Sequence, residues 1–125
     1  MKRNAGEDMN LKQIAESLAL ECLTPELAAT QAAEVSAGYA SDLLSDVLAN
    51  APRAGVLVTV QVHLNVIAVA LHAELAAVIF AHGRRPEDAV RAKAVAEGIA
   101  LYLSDLPAFE LVGRLYDLGL RGRRP

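Results

Sequence analysis

Only one cysteine, Cys22, occurs in the 125 residues, so no intrachain disulfide can form and a reducing cytoplasm is the expected compartment. Its neighbours Leu20 and Leu23 make that thiol a core residue rather than a reactive one. Tryptophan is absent and aromatic residues make up 4% of a chain that is 54% hydrophobic, so the core has to be aliphatic. The longest apolar run, 66–81, carries His72 and Glu74 and falls short of the roughly 20 residues that span a bilayer. Twelve basic residues against fifteen acidic ones leave a net charge of −3, which argues against a general affinity for nucleic acid or for anionic membranes. The start is polar and acidic through Glu7 and Asp8, without an apolar signal core.

Several chemical signatures are missing as well. There is no Gly-x-x-x-x-Gly-Lys-Ser/Thr loop, so the phosphate cradle that phosphoryl transfer needs is absent and kinase activity is not expected. His63, His72 and His82 are too scattered for a metal signature, and no Ser-His-Asp order or nucleophile elbow is visible. No cofactor and no metal are expected. His72, beside Glu74 in the middle of a helical pattern, reads as structural.

What is present centres on the stretch 55–70. Its first half, Val56-Leu57-Val58-Thr59-Val60-Gln61-Val62, is β-branched and apolar on both faces, as a strand inside a sheet requires. Its second half is rich in alanine and opens at Asn65, a residue suited to N-capping a helix. Before it, Asn10 and Gln13 have the spacing of a capping box, and Leu11, Ile14, Ala15 and Leu18 repeat at helical spacing, which predicts a helix over 11–18. A short strand over 20–23 is broken at Thr24-Pro25-Glu26, where Pro25 opens a turn or a helical turn. A weak strand lies within 34–39, and Ser41 or Asp42 caps a helix carrying Leu43, Leu44, Val47 and Leu48. After the central unit come a buried strand over 76–81, a helix opened by Pro86-Glu87-Asp88 and stopped by Gly98, a strand over 99–103, and a last helix from Pro107 to Gly119.

This alternation predicts one α/β domain, a three-layer sandwich with a mostly parallel central sheet flanked by helices and joined by right-handed crossovers. The domain is expected over 11–120, with a flexible leader at 1–10 and a basic flexible tail at 121–125. In such a sheet the strand ends gather along one carboxyl edge, where ligands collect. There fall Asp42, Thr59, Gln61, His63, Asn65, His82, Gly83, Ser104 and Asp105, the expected ligand-binding residues, with Asp42 or Ser104 lining one pocket with Gln61, His63 and Asn65. On a strand Thr59, Gln61 and His63 share one face, and Asn65 caps the next helix. The competing reading is that Gln61 and His63 merely satisfy loop carbonyls and that Asn65 merely caps. Asp42 and Asp46, four apart, either pair as acid and base, hold a cation, or complement the helix dipole.

The segments Gly38-Tyr39-Ala40-Ser41-Asp42-Leu43-Leu44-Ser45-Asp46-Val47, Thr59-Val60-Gln61-Val62-His63-Leu64-Asn65-Val66-Ile67-Ala68-Val69-Ala70 and Ala108-Phe109-Glu110-Leu111-Val112-Gly113-Arg114-Leu115-Tyr116 together resemble the small stand-alone DRTGG-domain proteins. The resemblance implies a fold like the N-terminal domain of the kinase/phosphorylase that acts on the phosphocarrier HPr, without its kinase domain. It also implies a regulatory role and subunit pairing. The Asp-Arg-Thr-Gly-Gly string itself is absent, its nearest equivalent being Ser36-Ala37-Gly38. Two functions are therefore weighed. One is a non-catalytic regulatory or adaptor module that homodimerises and binds a small polar or anionic ligand, such as a nucleotide or phosphometabolite, or a protein partner. The other is a small enzyme acting on a phosphorylated metabolite with Asp42, His63 and His82 at its site. The dimer interface is expected on apolar surface near the helix 42–50 or the adjoining strand, because so short and hydrophobic a chain leaves apolar side chains outside.

Overall fold

The computed structural model describes residues 9–122; most of the expected leader, 1–8, and the last three residues of the expected tail, 123–125, lie outside the described residues. A five-stranded sheet organises the rest. Strands β4 (Gly38–Ala40), β5 (Val56–Thr59), β6 (Ala77–Phe80) and β7 (Ala100–Leu103) run parallel in chain order, and β2 (Glu21–Cys22) closes the far edge antiparallel to β7. Between them lie α2 (Leu44–Asn50), α3 (Asn65–His72) and α4 (Asp88–Glu97), and the ends of the domain supply α1 (Leu11–Leu18) and α5 (Ala108–Asp117). Parallel strands laid down in one direction by right-handed crossovers place every crossover helix on the same face. That is the observed arrangement. Leu57, Val78, Phe80, Leu101 and Leu103 pack with Val47, Val66, Ile67, Ala70, Val90 and Ala94 of α2, α3 and α4. Their neighbours along each strand, Val56, Val58, Ala77, Ile79, Ala100 and Tyr102, pack against Leu11, Ile14, Leu111 and Leu115 of α1 and α5.

The expected three-layer sandwich is therefore the observed one, and the interior position expected for the central strand holds, with β5 between β4 and β6 and all four of its residues buried. Four local expectations are corrected. The strand expected over 56–62 stops at Thr59, because Asp42 takes the Val60 N–H and the Thr59 hydroxyl takes the Gln61 N–H, so side chains replace a strand partner. The single weak strand within 34–39 is two: β3 (Glu34–Val35) pairs antiparallel with β1 (Met9–Asn10), and β4 joins the main sheet. Met9 and Asn10, expected in a flexible leader, thus pair in a strand, with Met9 buried. The break at Pro25 extends into a 3-10 helix, Pro25–Ala32.

Other local expectations are met. Asn10 accepts the Gln13 N–H while the Gln13 side chain accepts the Asn10 N–H, closing the capping box. Gly98 ends α4 at φ +75°. Gly55 is required by space: a Cβ there would stand 2.8 Å from the Pro52 carbonyl oxygen and 3.2 Å from that of Ala37. Burial pushes the Tyr102 phenol up to about 12, with the thiol of Cys22 beside it adding to the effect. Among the described residues, no helix is long and apolar enough to cross a membrane.

Candidate functional site

The carboxyl ends of the four parallel strands open onto one edge, and all nine expected residues lie along it. They fall into two groups held by different means. The first is a chain of hydrogen bonds between side chains and backbone. Asp42 Oδ1 accepts the Thr59 hydroxyl at 2.7 Å and the Val60 N–H at 2.8 Å. Thr59 Oγ1 in turn accepts the Gln61 N–H at 3.0 Å, Gln61 Oε1 accepts the His63 N–H at 3.1 Å, and His63 Nδ1 accepts the Asn65 N–H at 3.1 Å. The alternate residues that would share a strand face thus each bind the backbone two residues on. This local bonding is what polar side chains offer an N–H that no sheet or helix partner takes.

This chain fixes which atoms remain for a ligand. With its oxygen accepting the His63 N–H, Gln61 has its amide N–H groups as its remaining donors. With Nδ1 accepting, the neutral His63 ring carries its proton on Nε2, as a donor. His63 and Asn65 are exposed and Gln61 is half-buried. The loop therefore shows donors at the start of α3, where the helix dipole is positive.

The second group is tied by its backbone. The His82 N–H bonds the Leu106 carbonyl, the Gly83 N–H the Ser104 carbonyl, and the Ser104 N–H the Phe80 carbonyl. Ser104 is buried, and its hydroxyl accepts the Leu106 N–H, so its side chain is used inside its own loop. His82 and Gly83 hold left-handed φ values of +59° and +63° to make the turn. The Asp105 carboxylate lies close to Gly83, 3.2 Å from where a Cβ would stand. The groups adjoin, since the Ala81 N–H bonds the Thr59 carbonyl.

Several expected roles are corrected. Asn65 does not cap α3; Leu64 stands at that position without a side-chain cap, and His63 receives the Asn65 N–H. Gln61 and His63 satisfy N–H groups rather than loop carbonyls. Neither Ser41 nor Asp42 caps α2, whose N-cap is Leu43. Asp42 faces β5 while Asp46 faces β4, so the two do not act as a pair: Tyr39 donates its hydroxyl to both oxygens of Asp46 at 2.9 and 2.8 Å, and Asn50 donates to Oδ1 at 2.9 Å. The Asn50 and Tyr39 donors, with Ser41, hold the Asp46 carboxyl below its ordinary range. Among the described residues, no three of His, Cys, Asp and Glu gather as a metal site would require.

One feature escaped the sequence reading. A cleft of about 250 Å³ lies between β4, one flank of α5 and the chain after it. Its walls include Tyr39, Val58, Val112, Tyr116, Leu120 and Arg121, and none of the nine expected residues. Arg121, expected in a flexible tail, stacks its guanidinium 3.7 Å over the Tyr116 ring and accepts the Gly38 N–H at its carbonyl. The signal for this side was available in the spacing of Val112 and Tyr116, four apart on the flank of the helix beside Leu115.

No known family model matches the chain, and no curated protein sequence matches it. Among solved structures, the fold is similar to the CBS and DRTGG domains of the regulatory region of Clostridium perfringens pyrophosphatase, solved in complex with its activator, diadenosine tetraphosphate. The TM-score is 0.70 at 13% sequence identity. The match covers 90% of this chain and 47% of that one, so the chain spans about half of that regulatory region. The likeness is one of fold.

Proposed function

We propose that this chain is a DRTGG-like regulatory module, without a reaction of its own, that homodimerises in the cytoplasm and binds a small anionic ligand, a nucleotide or phosphometabolite, at the carboxyl edge of its sheet. The observation that carries the ligand reading is the hydrogen bonding of Gln61 and His63. Each spends an acceptor on a backbone N–H, which leaves the Gln61 amide N–H groups and His63 Nε2 as donors beside the start of α3. A surface of fixed donors near a positive helix end favours phosphate oxygens over cations. The fold neighbour supports this reading from outside, because it is a regulatory region that takes a nucleotide activator. An adaptor that binds a protein at the same edge is the secondary form of this reading.

The enzyme alternative, with Asp42, His63 and His82, has less behind it. The basic nitrogen of His63 is occupied by the Asn65 N–H, and Asp42 Oδ1 already accepts two bonds. General base catalysis needs a free lone pair within reach of the substrate.

A melting-temperature screen with ATP, diadenosine tetraphosphate and phosphorylated sugars tests the proposal. A ligand at about 100 times its dissociation constant stabilises the native state by ~2.7 kcal/mol. The expected result is a rise in melting temperature with at least one phosphorylated compound and a smaller rise in Gln61→Ala and His63→Ala. No rise with any of them at millimolar concentration contradicts the proposal.

A further inference from the structure

Arg84 follows directly on His82 and Gly83 at the carboxyl edge, and its side chain is uncommitted. It is exposed, and among the described residues its guanidinium takes part in no hydrogen bond or ion pair. The other described arginines are engaged. Arg53, Arg91 and Arg114 pair with Glu74, Glu26 and Glu110, and Arg121 stacks on Tyr116 while donating to two carbonyls. Arg85, next in the chain, donates to both oxygens of Glu21 at 2.9 and 2.7 Å. Glu21 holds the Arg85 guanidinium above its ordinary range, and Asp105 adds a smaller share.

The turn after β6 fixes where Arg84 stands. Phe80 pairs with Thr59 across the sheet, and the Ala81 N–H bonds the Thr59 carbonyl. The chain therefore leaves β6 one strand spacing, about 4.8 Å, from the point where the loop of Gln61 and His63 leaves β5. His82 and Gly83 then reverse the chain at left-handed φ values, with the Arg84 N–H closing the turn on the Ala81 carbonyl at 3.0 Å. The Gly83 N–H anchors that turn on the Ser104 carbonyl at 2.8 Å. The backbone of Arg84 is thereby held at the edge, on the loop next to the donors.

We infer that Arg84 supplies the positive charge of the anion site proposed above, a role that depends on that reading, and makes the site prefer two linked phosphates to one. The edge needs such a charge. Asp42 and Asp105 both stand on it and the whole chain carries −3, so uncharged donors alone face an unfavourable field for a polyanion. A guanidinium offsets that field and offers a planar pair of donors matched to phosphate oxygens. Its place on the neighbouring loop sets the preference. A ligand whose first phosphate sits on the Gln61 and His63 donors reaches Arg84 with its second.

Isothermal titration calorimetry with AMP and with ADP, free of divalent metal, tests the inference, and ¹⁵N amide shifts locate the binding. The natural chain is expected to bind ADP about 10-fold more tightly than AMP, with shifts in residues 59–65. Arg84→Gln is expected to weaken ADP about 10-fold and AMP by less than about 3-fold, which abolishes the preference. Its melting temperature is expected to stay unchanged, because the side chain holds nothing in the fold. Lys12→Gln removes the same charge from α1 and is expected to keep the preference. If neither nucleotide at millimolar concentration shifts residues 59–65, the anion site is overturned and this role with it. Binding there with equal affinity for both nucleotides, a preference that survives Arg84→Gln, or one lost equally in Lys12→Gln overturns the role of Arg84 and leaves the site standing.

Discussion

Replacing Asp42 by alanine removes one acceptor from two donors at once. Oδ1 accepts the Thr59 hydroxyl at 2.7 Å and the Val60 N–H at 2.8 Å. Hydrogen bonds to a charged group contribute about 1.5–3 kcal/mol each when both partners are shielded. Asp42 is exposed, so water can satisfy Val60 in the variant and that contribution shrinks toward zero. Thr59 is 1% exposed, so its hydroxyl has no such replacement. The expected loss is therefore ~2 kcal/mol for Asp42→Ala and ~1 kcal/mol for Asp42→Asn, which keeps an uncharged acceptor. For a chain of this size ~2 kcal/mol lowers the melting temperature by roughly 8 °C. Urea denaturation followed by circular dichroism, at one protein concentration throughout, measures the loss. The double variant with Thr59→Val closes a cycle in which the coupling between the two residues is expected to be ~1 kcal/mol. A loss below ~0.5 kcal/mol for Asp42→Ala, or a coupling indistinguishable from zero, would refute the idea that Asp42 anchors the start of the edge.

Tyr102 makes stability depend on alkaline pH. Its phenol is raised by burial from the ordinary 10.0 to about 12, so the folded chain keeps a proton that the unfolded chain gives up. Its stabilisation is complete below pH 10 and is lost as pH rises through about 12, a change of ~3 kcal/mol at most. Tyr102→Phe is expected to remove that alkaline loss in urea melts between pH 9 and pH 12, and an identical alkaline slope in both proteins would contradict it. Gly55→Ala is expected to cost ~2 kcal/mol or more, because its Cβ meets backbone oxygens of Pro52 and Ala37 that cannot turn aside. A loss below ~0.5 kcal/mol would show that the start of β5 shifts freely.

The parts of the fold governed by local rules were legible in the chain. The capping box at Asn10 and Gln13, the two-sided apolar run that became β5, Pro86 before α4 and Gly98 after it each act through bonds or dihedrals of near neighbours. The layers followed from the alternation of strands and helices, and so did the edge at which the nine expected residues stand. Where the reading went astray, a distant residue competed with a near one. Asp42 has the chemistry of a helix cap but serves β5, because the parallel register brings Ala40 beside Val58 and carries Asp42 to Thr59 and Val60. Residues 60–63 continue the strand pattern in composition, yet the Val60 N–H bonds Asp42 and the Gln61 and His63 N–H groups bond side chains two residues back. Ser36 and Ala37 lie between two strands of different sheets, a division that depends on where β1 lies and leaves no trace in the local pattern. The flank of α5 that lines the cleft, Val112 and Tyr116, was written in the spacing but hidden beside Leu111 and Leu115, the stripe that packs on the sheet.

The central claim is that the remaining donors of Gln61 and His63 make the carboxyl edge an anion site. Its most direct test is a titration of the ¹⁵N-labelled chain with ATP, followed by NMR through the backbone amides and the side-chain amides of Gln61 and Asn65. The account predicts saturable shifts concentrated in residues 59–65 and 82–83, with affinity falling about 10-fold on His63→Ala, which corresponds to one lost charge-assisted hydrogen bond. Shifts confined to the cleft residues Gly38, Val112, Tyr116 and Arg121, or no shifts at millimolar ATP, would contradict it.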